Sequence, residues 1–369
     1  MAGKRVLLTG GGTGGHIYPA LALKKEWEKR YPDTEFLYIG TKNGLESKLA
    51  EENGIPFKSI DIQGFSRRFS LDNIRTVQKF IKSVSLSKKY IKAFKPDVVL
   101  GTGGYVCGPV VYAAKRLNVP SVIHEQNSVP GVANKFLARY VDGIALSFED
   151  AKIYFGENAD KCQLTGNPRA QEVIGVEAGN YLEEYNLSSM KPTVLIFGGS
   201  RGAQKINETV AELIPLFPKR DYQVLIASGE TYYPELSEVW NKSTSDEAVQ
   251  VRSYISNMLE VYTNVDLVVC RSGATSIAEL TSLGVPSILI PSPNVTEDHQ
   301  TKNAMSVVEA GAAEIIKEDD LTSGNLLSLI DELMENDEKR MNMANKAKET
   351  GIQDAADRLM DMMLEVMVD

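Results

Sequence analysis

The sequence predicts an α/β protein of two domains, each built on a parallel sheet. Three observations lead there. Short apolar runs alternate with helix-length segments along the whole chain, the rhythm of strand, crossover helix and next strand. The stretch VLLTGGGTGGH (Val6 to His16) superposes on VLIFGGSRGAQ (Val194 to Gln204) at a constant offset of 188, so each half opens with strand, glycine turn and helix. A chain of 369 residues also exceeds one usual core. Taken in order, the apolar runs place strands at Arg5 to Thr9, Glu35 to Ile39, Asp97 to Leu100 and Ser121 to His124. The second half repeats the pattern at Thr193 to Phe197, Gln223 to Ala227, Asp266 to Cys270 and Ser287 to Ile290. Gly166-Asn167-Pro168-Arg169 and the polar stretch Glu177 to Lys191 read as hinge and linker. The domains are therefore drawn as residues 1–166 and 167–352.

The formal net charge of −9 argues against a general nucleic-acid binder, but the mean hides a segment of opposite sign. Residues 65–96 hold nine Lys or Arg against one acid, Asp72, while the remainder carries 31 basic against 48 acidic residues. Within that segment Ile74, Val77, Ile81 and Val84 recur at helical spacing, with Phe69, Phe80, Tyr90 and Phe94 nearby. Such an element either lies on an anionic lipid surface or packs its apolar stripe on its own domain. The start at Met1 to Arg5 leads straight into a strand, and no run of about 18 apolar residues occurs, so a cytosolic chain is expected. Cys107, Cys162 and Cys270 stand far apart without CxxC spacing and read as reduced structural thiols.

In open α/β sheets ligands collect at the carboxyl ends of the strands, so the turns there hold the chemistry. GGGTGGH at 10–16 follows the first strand; its glycines let the backbone approach an anion and aim amides at it, where the helix dipole assists. Gly10, Gly12 and Gly15 also satisfy GxGxxG, but a dinucleotide site expects an acid closing the second strand. Ile39 runs instead into Gly40, Thr41 and Lys42, with Glu46 further on, which counts against an NAD-dependent oxidoreductase. All three histidines, His16, His124 and His299, fall in strand-end turns, where an imidazole can move a proton near neutral pH. HEQNS is not HExxH and no Asp-x-Asp occurs, so no metal site is expected. GGSRGA, through Ser200, Gly202 and Ala203, presents a second anion cradle at a helix start, although such a turn also serves plain helix–strand packing. In RSGATSIAEL, Gly273 to Thr275 open another helix, and Glu279 either grips a ribose diol or complements the dipole as a solvated acid. Two domains facing each other would bring these turns into one cleft.

In this order, GGGTGGHIYPALA, GTGGYVCGP, HEQN, TGNPRA, FGGSRGA, RSGATSIAE and HQTKNA resemble the GT-B glycosyltransferases that make lipid II, the MurG family, over nearly the whole chain. The resemblance implies two Rossmann-like domains across a cleft and inverting transfer of N-acetylglucosamine from UDP-GlcNAc to the 4-hydroxyl of the MurNAc unit of lipid I, with no cofactor. It places donor contacts on Thr13, Gly14, Gly15, Asn127, Arg169, Ser200, Ile255, Ala274, Thr275, Ser276, Glu279 and Gln300. His16 is the first candidate for the base, with His124, Glu125 and Tyr105 in neighbouring turns as alternatives; His16 could instead position the acceptor pyrophosphate. The amino-terminal domain would take lipid I, the carboxy-terminal domain UDP-GlcNAc, and a closing helix at about 353–368 would cross back to the first. The acceptor's undecaprenyl chain gives the basic segment 65–96 a membrane surface to meet, at the cytoplasmic face. This chain departs from the family's basic members in its pI of about 5.2, which leaves that contact to the local patch. A GT-B-like UDP-GlcNAc 2-epimerase and a non-catalytic UDP-sugar sensor are the remaining alternatives.

Overall fold

The computed structural model describes residues 3–64, 71–177, 179–199, 202–243 and 247–368. Basic residues Arg67 and Arg68, and the turn residues Ser200 and Arg201, lie outside the described residues. The chain forms two compact units, Met1–Glu172 with Gln353–Asp369, and Val173–Ile352.

In the first unit, β1 (Arg5–Thr9), α1 (Gly14–Arg30), β2 (Glu35–Thr41), α2 (Leu45–Glu52), β3 (Phe57–Ile60), α3 (Leu71–Phe94) and β4 (Val98–Gly101) come first. There follow α4 (Cys107–Lys115), β5 (Ser121–Glu125), α5 (Val132–Leu137), β6 (Gly143–Leu146), β7 (Cys162–Leu164) and α6 (Arg169–Ile174). The strands make one parallel seven-stranded sheet in the order β3-β2-β1-β4-β5-β6-β7. Strands β1, β4, β5 and β6 are buried almost end to end, as a sheet covered by helices on both faces requires. One face packs Leu7, Val99, Ile123 and Ile144 against α3 and α4. The other packs Val6, Leu8, Val98 and Val122 against Ile17, Leu23 and Trp27 of α1 and against Leu359, Met360 and Met363.

Those last residues belong to α14 (Ala355–Glu365), which the chain returns to the first unit. Arg30 meets Asp361 at 2.6 Å, and the Gln171 amide donates to Asp357 at 2.9 Å. Gln171 and the ion pair Lys25–Glu172 fasten most of α6 to this unit, so the boundary falls at Glu172 rather than at Gly166.

The second unit runs β8 (Thr193–Phe197), α7 (Gln204–Leu213), β9 (Gln223–Ala227), α8 (Tyr233–Ser243), β10 (Val249–Arg252), α9 (Met258–Tyr262) and β11 (Leu267–Cys270). It continues with α10 (Ala274–Leu283), β12 (Ser287–Leu289), α11 (His299–Val308), β13 (Glu314–Ile315), α12 (Ser323–Glu335) and α13 (Asp337–Thr350). Its parallel six-stranded sheet has the order β10-β9-β8-β11-β12-β13. Both sheets therefore reverse their winding at one place, between β1 and β4 in the first and between β8 and β11 in the second. That topological switch is where an open α/β sheet leaves room for a ligand beyond its strand ends.

Candidate functional site

In the first unit the switch point is made by the turns after β1 and β4, and the two are locked together. The Gly11 amide donates to the Gly103 carbonyl at 3.2 Å, the Thr102 hydroxyl donates to the His16 carbonyl at 2.5 Å, and Tyr38 from β2 donates to the Gly10 carbonyl at 2.8 Å. Cys107 is buried with its Sγ 3.1 Å from the Thr9 carbonyl and 3.0 Å from that of Gly103, and burial pushes its thiol up to about 12, a structural clamp rather than a nucleophile. Two glycines are required by space: a Cβ on Gly103 (φ +111°) would stand 2.8 Å from the His16 ring, and one on Gly104 (φ +82°) 2.3 Å from the Gly11 carbonyl oxygen.

Thr13 is the N-cap of α1 but makes no side-chain cap, and no acid occupies the first turn. The amides of Gly14 and Gly15 therefore keep the unsatisfied donors of a helix start, which suit an anion. His16 sits beside them, half-buried. Its Nδ1 lies 2.9 Å from the Gly11 carbonyl, which assigns the proton to Nδ1 and leaves Nε2 as an acceptor without a hydrogen-bond partner among the described residues. Tyr105, 65% exposed, stands at a cavity of about 780 Å³ lined also by Gly11, Gly12, Lys42, Glu46 and Gln63.

The HEQN turn after β5 has a different character. His124 is fully buried; its Nε2 donates to the Gly166 carbonyl at 2.9 Å and its Nδ1 accepts from the Gln126 amide at 2.8 Å. Burial lowers its pKa to about 4, against the smaller opposing effect of the Gly166 contact. Glu125 is also buried and binds its own loop, accepting from the Asn127 and Gly131 amides at 3.0 Å each and from the Asn134 side chain at 2.8 Å. With both nitrogens and both oxygens engaged, these two shape the loop that presents Asn127. Arg169 stacks over Tyr18 of α1 at 5.2 Å and pairs with Glu172 at 2.5 Å, which places it in the first unit.

In the second unit the switch point gathers the turns after β8 and β11. Gly199 (φ +92°) and Gly202 (φ +75°) lead to α7, whose N-cap Ala203 leaves its amides uncapped. Ser200 between them lies outside the described residues. Helix α10 starts the same way: Gly273 is the N-cap, Ala274, Thr275 and Ser276 form the first turn, and no acid sits there. Glu279 lies one turn on and is 5% exposed, so it is not a solvated first-turn acid. Gln300 at the start of α11 is held next to this turn: the Ser272 hydroxyl donates to its carbonyl at 2.8 Å, and its Oε1 accepts from the Ser292 amide at 2.9 Å. Just before it, Glu297 (φ 55°) and Asp298 (φ 50°) both hold left-handed backbone, uncommon outside glycine and concentrated at functional turns. Half-buried His299 bonds through Nδ1 to the Thr296 carbonyl at 2.8 Å. Ile255 is buried in the loop after β10, at the edge of the sheet. Among the described residues, no three His, Cys, Asp or Glu stand together as metal ligands.

The glycosyltransferase family 28 N-terminal domain matches residues 6–146, and the corresponding C-terminal domain matches residues 193–359. The chain belongs to glycosyltransferase family 28. It is thus a glycosyltransferase of GT-B fold. A family 28 relative from Bacillus cytotoxicus, named UDP-N-acetylglucosamine–N-acetylmuramyl-(pentapeptide) pyrophosphoryl-undecaprenol N-acetylglucosamine transferase, is 53% identical over 98% of this chain and 99% of its own. A relative of the same name from Bacillus pumilus is 50% identical over 98% of this chain and 99% of its own. Among solved structures, MurG of Acinetobacter baumannii is 28% identical with a TM-score of 0.78, covering 98% of this chain and 99% of its own. UDP-GlcNAc 2-epimerase of Neisseria meningitidis also superposes, with a TM-score of 0.70 over 98% of this chain and all of its own, but at 16% identity that likeness shows the fold alone.

Several residues that hold these turns carry no mark in the sequence: Thr102, Gln126 and Asn134 are ordinary polar residues until the loops are packed. Glu46 is the acid that follows β2, where a dinucleotide site would hold its ribose. The structure rules that use out, because its carboxylate is fully buried and bonded to Thr41.

Proposed function

We propose that this glycosyltransferase moves N-acetylglucosamine from UDP-GlcNAc to the 4-hydroxyl of MurNAc in an undecaprenyl-pyrophosphoryl acceptor, with inversion, forming the lipid II used for peptidoglycan. The observation that carries the mechanism is the state of His16: its Nδ1 is tied to the Gly11 carbonyl while Nε2 stays open beside the uncapped start of α1. His16 takes the proton of the acceptor hydroxyl as that oxygen bonds to C1 of the sugar and the bond from C1 to the UDP oxygen breaks. Thr13 and the uncapped amides of Gly14 and Gly15 contact the donor from the first unit's glycine turn, with Tyr105 at the acceptor side. On the donor side, the uncapped starts of α7 and α10, with Ser200 and with Ala274 to Ser276, take the charge that develops on UDP. Glu279 takes the ribose hydroxyls, Ile255 the uracil, and Gln300, Asn127 and Arg169 the transferred sugar and its diphosphate. No cofactor has a part in this scheme.

The acceptor's lipid calls for a membrane surface, and no helix among the described residues is long and apolar enough to cross one. Contact is therefore assigned to α3 and its neighbours, at the cytoplasmic face. Val84, Tyr90, Ile91 and Phe94 pack on the first unit's core, whereas Val77 and Ile81 are 46% and 63% exposed. Phe80, between them, joins an aromatic group with Tyr112 and Phe136, and Arg139 lies over the Phe136 ring. Exposed apolar groups ringed by cations are what a peripheral contact with anionic lipid uses.

The test follows UDP release from UDP-GlcNAc with and without a short-chain lipid I analogue, for wild type and folded His16→Ala at saturating substrates. Turnover that needs the analogue and is lost in kcat, with donor affinity intact, supports the scheme. Surviving kcat in the variant removes His16 as the base, and no turnover in wild type would favour a UDP-sugar sensor.

A further inference from the structure

Glu46 is the least expected carboxylate in the first unit. It is the second residue of α2, yet its side chain is 0% exposed, and among the described residues no Lys, Arg or His pairs with it. Its Oε1 accepts from the Thr41 amide at 2.9 Å and from the Thr41 hydroxyl at 2.6 Å, and its Oε2 receives the Gly12 amide at 3.5 Å, the outer limit of a hydrogen bond. Three glycines make room for it. A Cβ on Gly11, Gly40 or Gly44 would stand 2.6, 2.5 or 2.2 Å from a Glu46 atom, and none of the three needs a positive φ. One carboxylate therefore accounts for three glycines that backbone conformation does not explain. A charge held out of water without a cation is costly, which makes what it touches informative.

It touches the peptide that holds the histidine. The N–H of Gly12 and the C=O of Gly11 belong to a single peptide group. On one side that group offers its N–H to Glu46 Oε2; on the other its oxygen accepts from His16 Nδ1 at 2.9 Å. The order is carboxylate, peptide, imidazole, each donating to the one before. A negative charge at the N–H end raises electron density on the carbonyl oxygen, strengthens the Nδ1–H bond and favours the tautomer that leaves Nε2 able to take a proton. We propose that Glu46 is a positioning residue that orients and polarises His16 through the Gly11–Gly12 peptide, a carboxylate–histidine pair with a backbone group as its middle member. This rests on the reading of His16 as the base. It also sorts the amides of the turn: that of Gly12 is directed inward to Glu46, while those of Gly14 and Gly15 are left for a bound anion.

Other titratable groups surround the pair. Tyr38 from β2 and Cys107 from α4 are both buried and both pushed up by desolvation, and so stay uncharged through neutral pH. Lys42 and Asp61 line the same cavity, Asp61 pairing with Lys79 of α3 at 2.9 Å, and Tyr105 completes it.

The experiment compares wild type, Glu46→Gln, His16→Ala and the double variant with UDP-GlcNAc and a short-chain lipid I analogue, recording kcat against pH, both KM values and thermal unfolding. Glutamine keeps the shape and can still accept from Thr41, but sets an amide N–H₂ against the Gly12 N–H. The expected result is a fall in kcat of about tenfold, an acid limb of the kcat profile moved to lower pH, an unchanged donor KM, and a double variant no slower than His16→Ala. A Glu46→Gln enzyme that only melts earlier, or only binds acceptor less tightly, with its pH profile unmoved, would overturn the proposal and leave Glu46 a structural residue. So would losses that multiply in the double variant. Retention of kcat by His16→Ala alone would instead sink the premise about the base.

Discussion

His124 offers the sharpest separation between a catalytic and a structural histidine, because its environment fixes which protonation state the fold accepts. The ring is fully buried, donates from Nε2 to the Gly166 carbonyl and accepts at Nδ1 from the Gln126 amide. A second proton on Nδ1 would face the Gln126 N–H₂ group and break that bond. Burial holds the pKa at about 4, below the ordinary value of 6.5. An unfolded chain binds a proton at this histidine below pH 6.5, whereas the folded chain declines it until about pH 4. The stabilisation is therefore complete above pH 6.5 and is lost as pH falls through that window, by about 2 kcal/mol at pH 5 and about 3 kcal/mol at the bottom. His124→Gln keeps both hydrogen bonds, since an amide can donate to Gly166 and accept from Gln126, but has no proton to gain. The two tryptophans make the assay local: Trp27 is buried in the first unit, with His124, and Trp240 belongs to the second. In a Trp240→Phe background, urea unfolding followed by Trp27 fluorescence should show wild type weakening between pH 7 and pH 5 by about 2 kcal/mol more than His124→Gln. Equal weakening of the two proteins would refute the reasoning, because other groups would then account for all of the pH dependence.

Two further outcomes test the donor side and the membrane face. Glu279→Gln should raise the UDP-GlcNAc KM about tenfold or more with little change in acceptor KM, as expected for a buried carboxylate that accepts two ribose hydroxyls; a rise confined to the acceptor KM would remove Glu279 from the donor site. Replacing Lys82, Lys88 and Lys89 of α3 by Glu should weaken binding to vesicles rich in anionic lipid by at least about fivefold for each charge, with a loss that shrinks as salt rises. Unaltered sedimentation with vesicles would end the lipid-surface reading.

The central strands were legible because their signal is one of burial. TVLIF in β8 and QVLIA in β9 are buried at every position, and such runs between glycine turns have few other interpretations. The strands that escaped notice are short or lie toward the sheet edges. FKSI of β3, CQL of β7 and EI of β13 offer three or four residues or fewer, half-covered, and their pairing is decided by the neighbour already in place. VQVR of β10 is broken by polar residues and GIAL of β6 opens on a glycine, so neither makes the branched apolar run that marks VVLG of β4 or LVVC of β11. Basic helix α3 shows the same division within one element: its heptad-like apolar spacing is visible in the sequence, but that Ile91 is buried in the first unit's core while Ile81 is exposed is decided by packing.

At the site, legibility followed the backbone. Glycine turns announce where main-chain amides stand uncapped, so the turns before α1, α7 and α10 can be named from spacing, whereas Gly14 and Gly15 as individual contacts follow only from the family resemblance. Side chains that act through the backbone leave no such mark. His124 and His16 are both histidines in strand-end turns, and only packing separates them: one has both nitrogens satisfied in the dark of the core, the other has a single nitrogen tied and the second open. Glu46 carries the same lesson further. Its partners are two amides and a hydroxyl, donors that any sequence supplies, and its reach to Gly12 spans 34 positions. What the sequence does record of it is indirect, in Gly40, where a side chain would meet Glu46 and the Phe57 ring, and in Gly44, the N-cap of α2, where one would meet the carboxylate itself. A glycine without a positive φ is thus evidence about a neighbour's side chain, and in this chain it points to the group beneath the histidine.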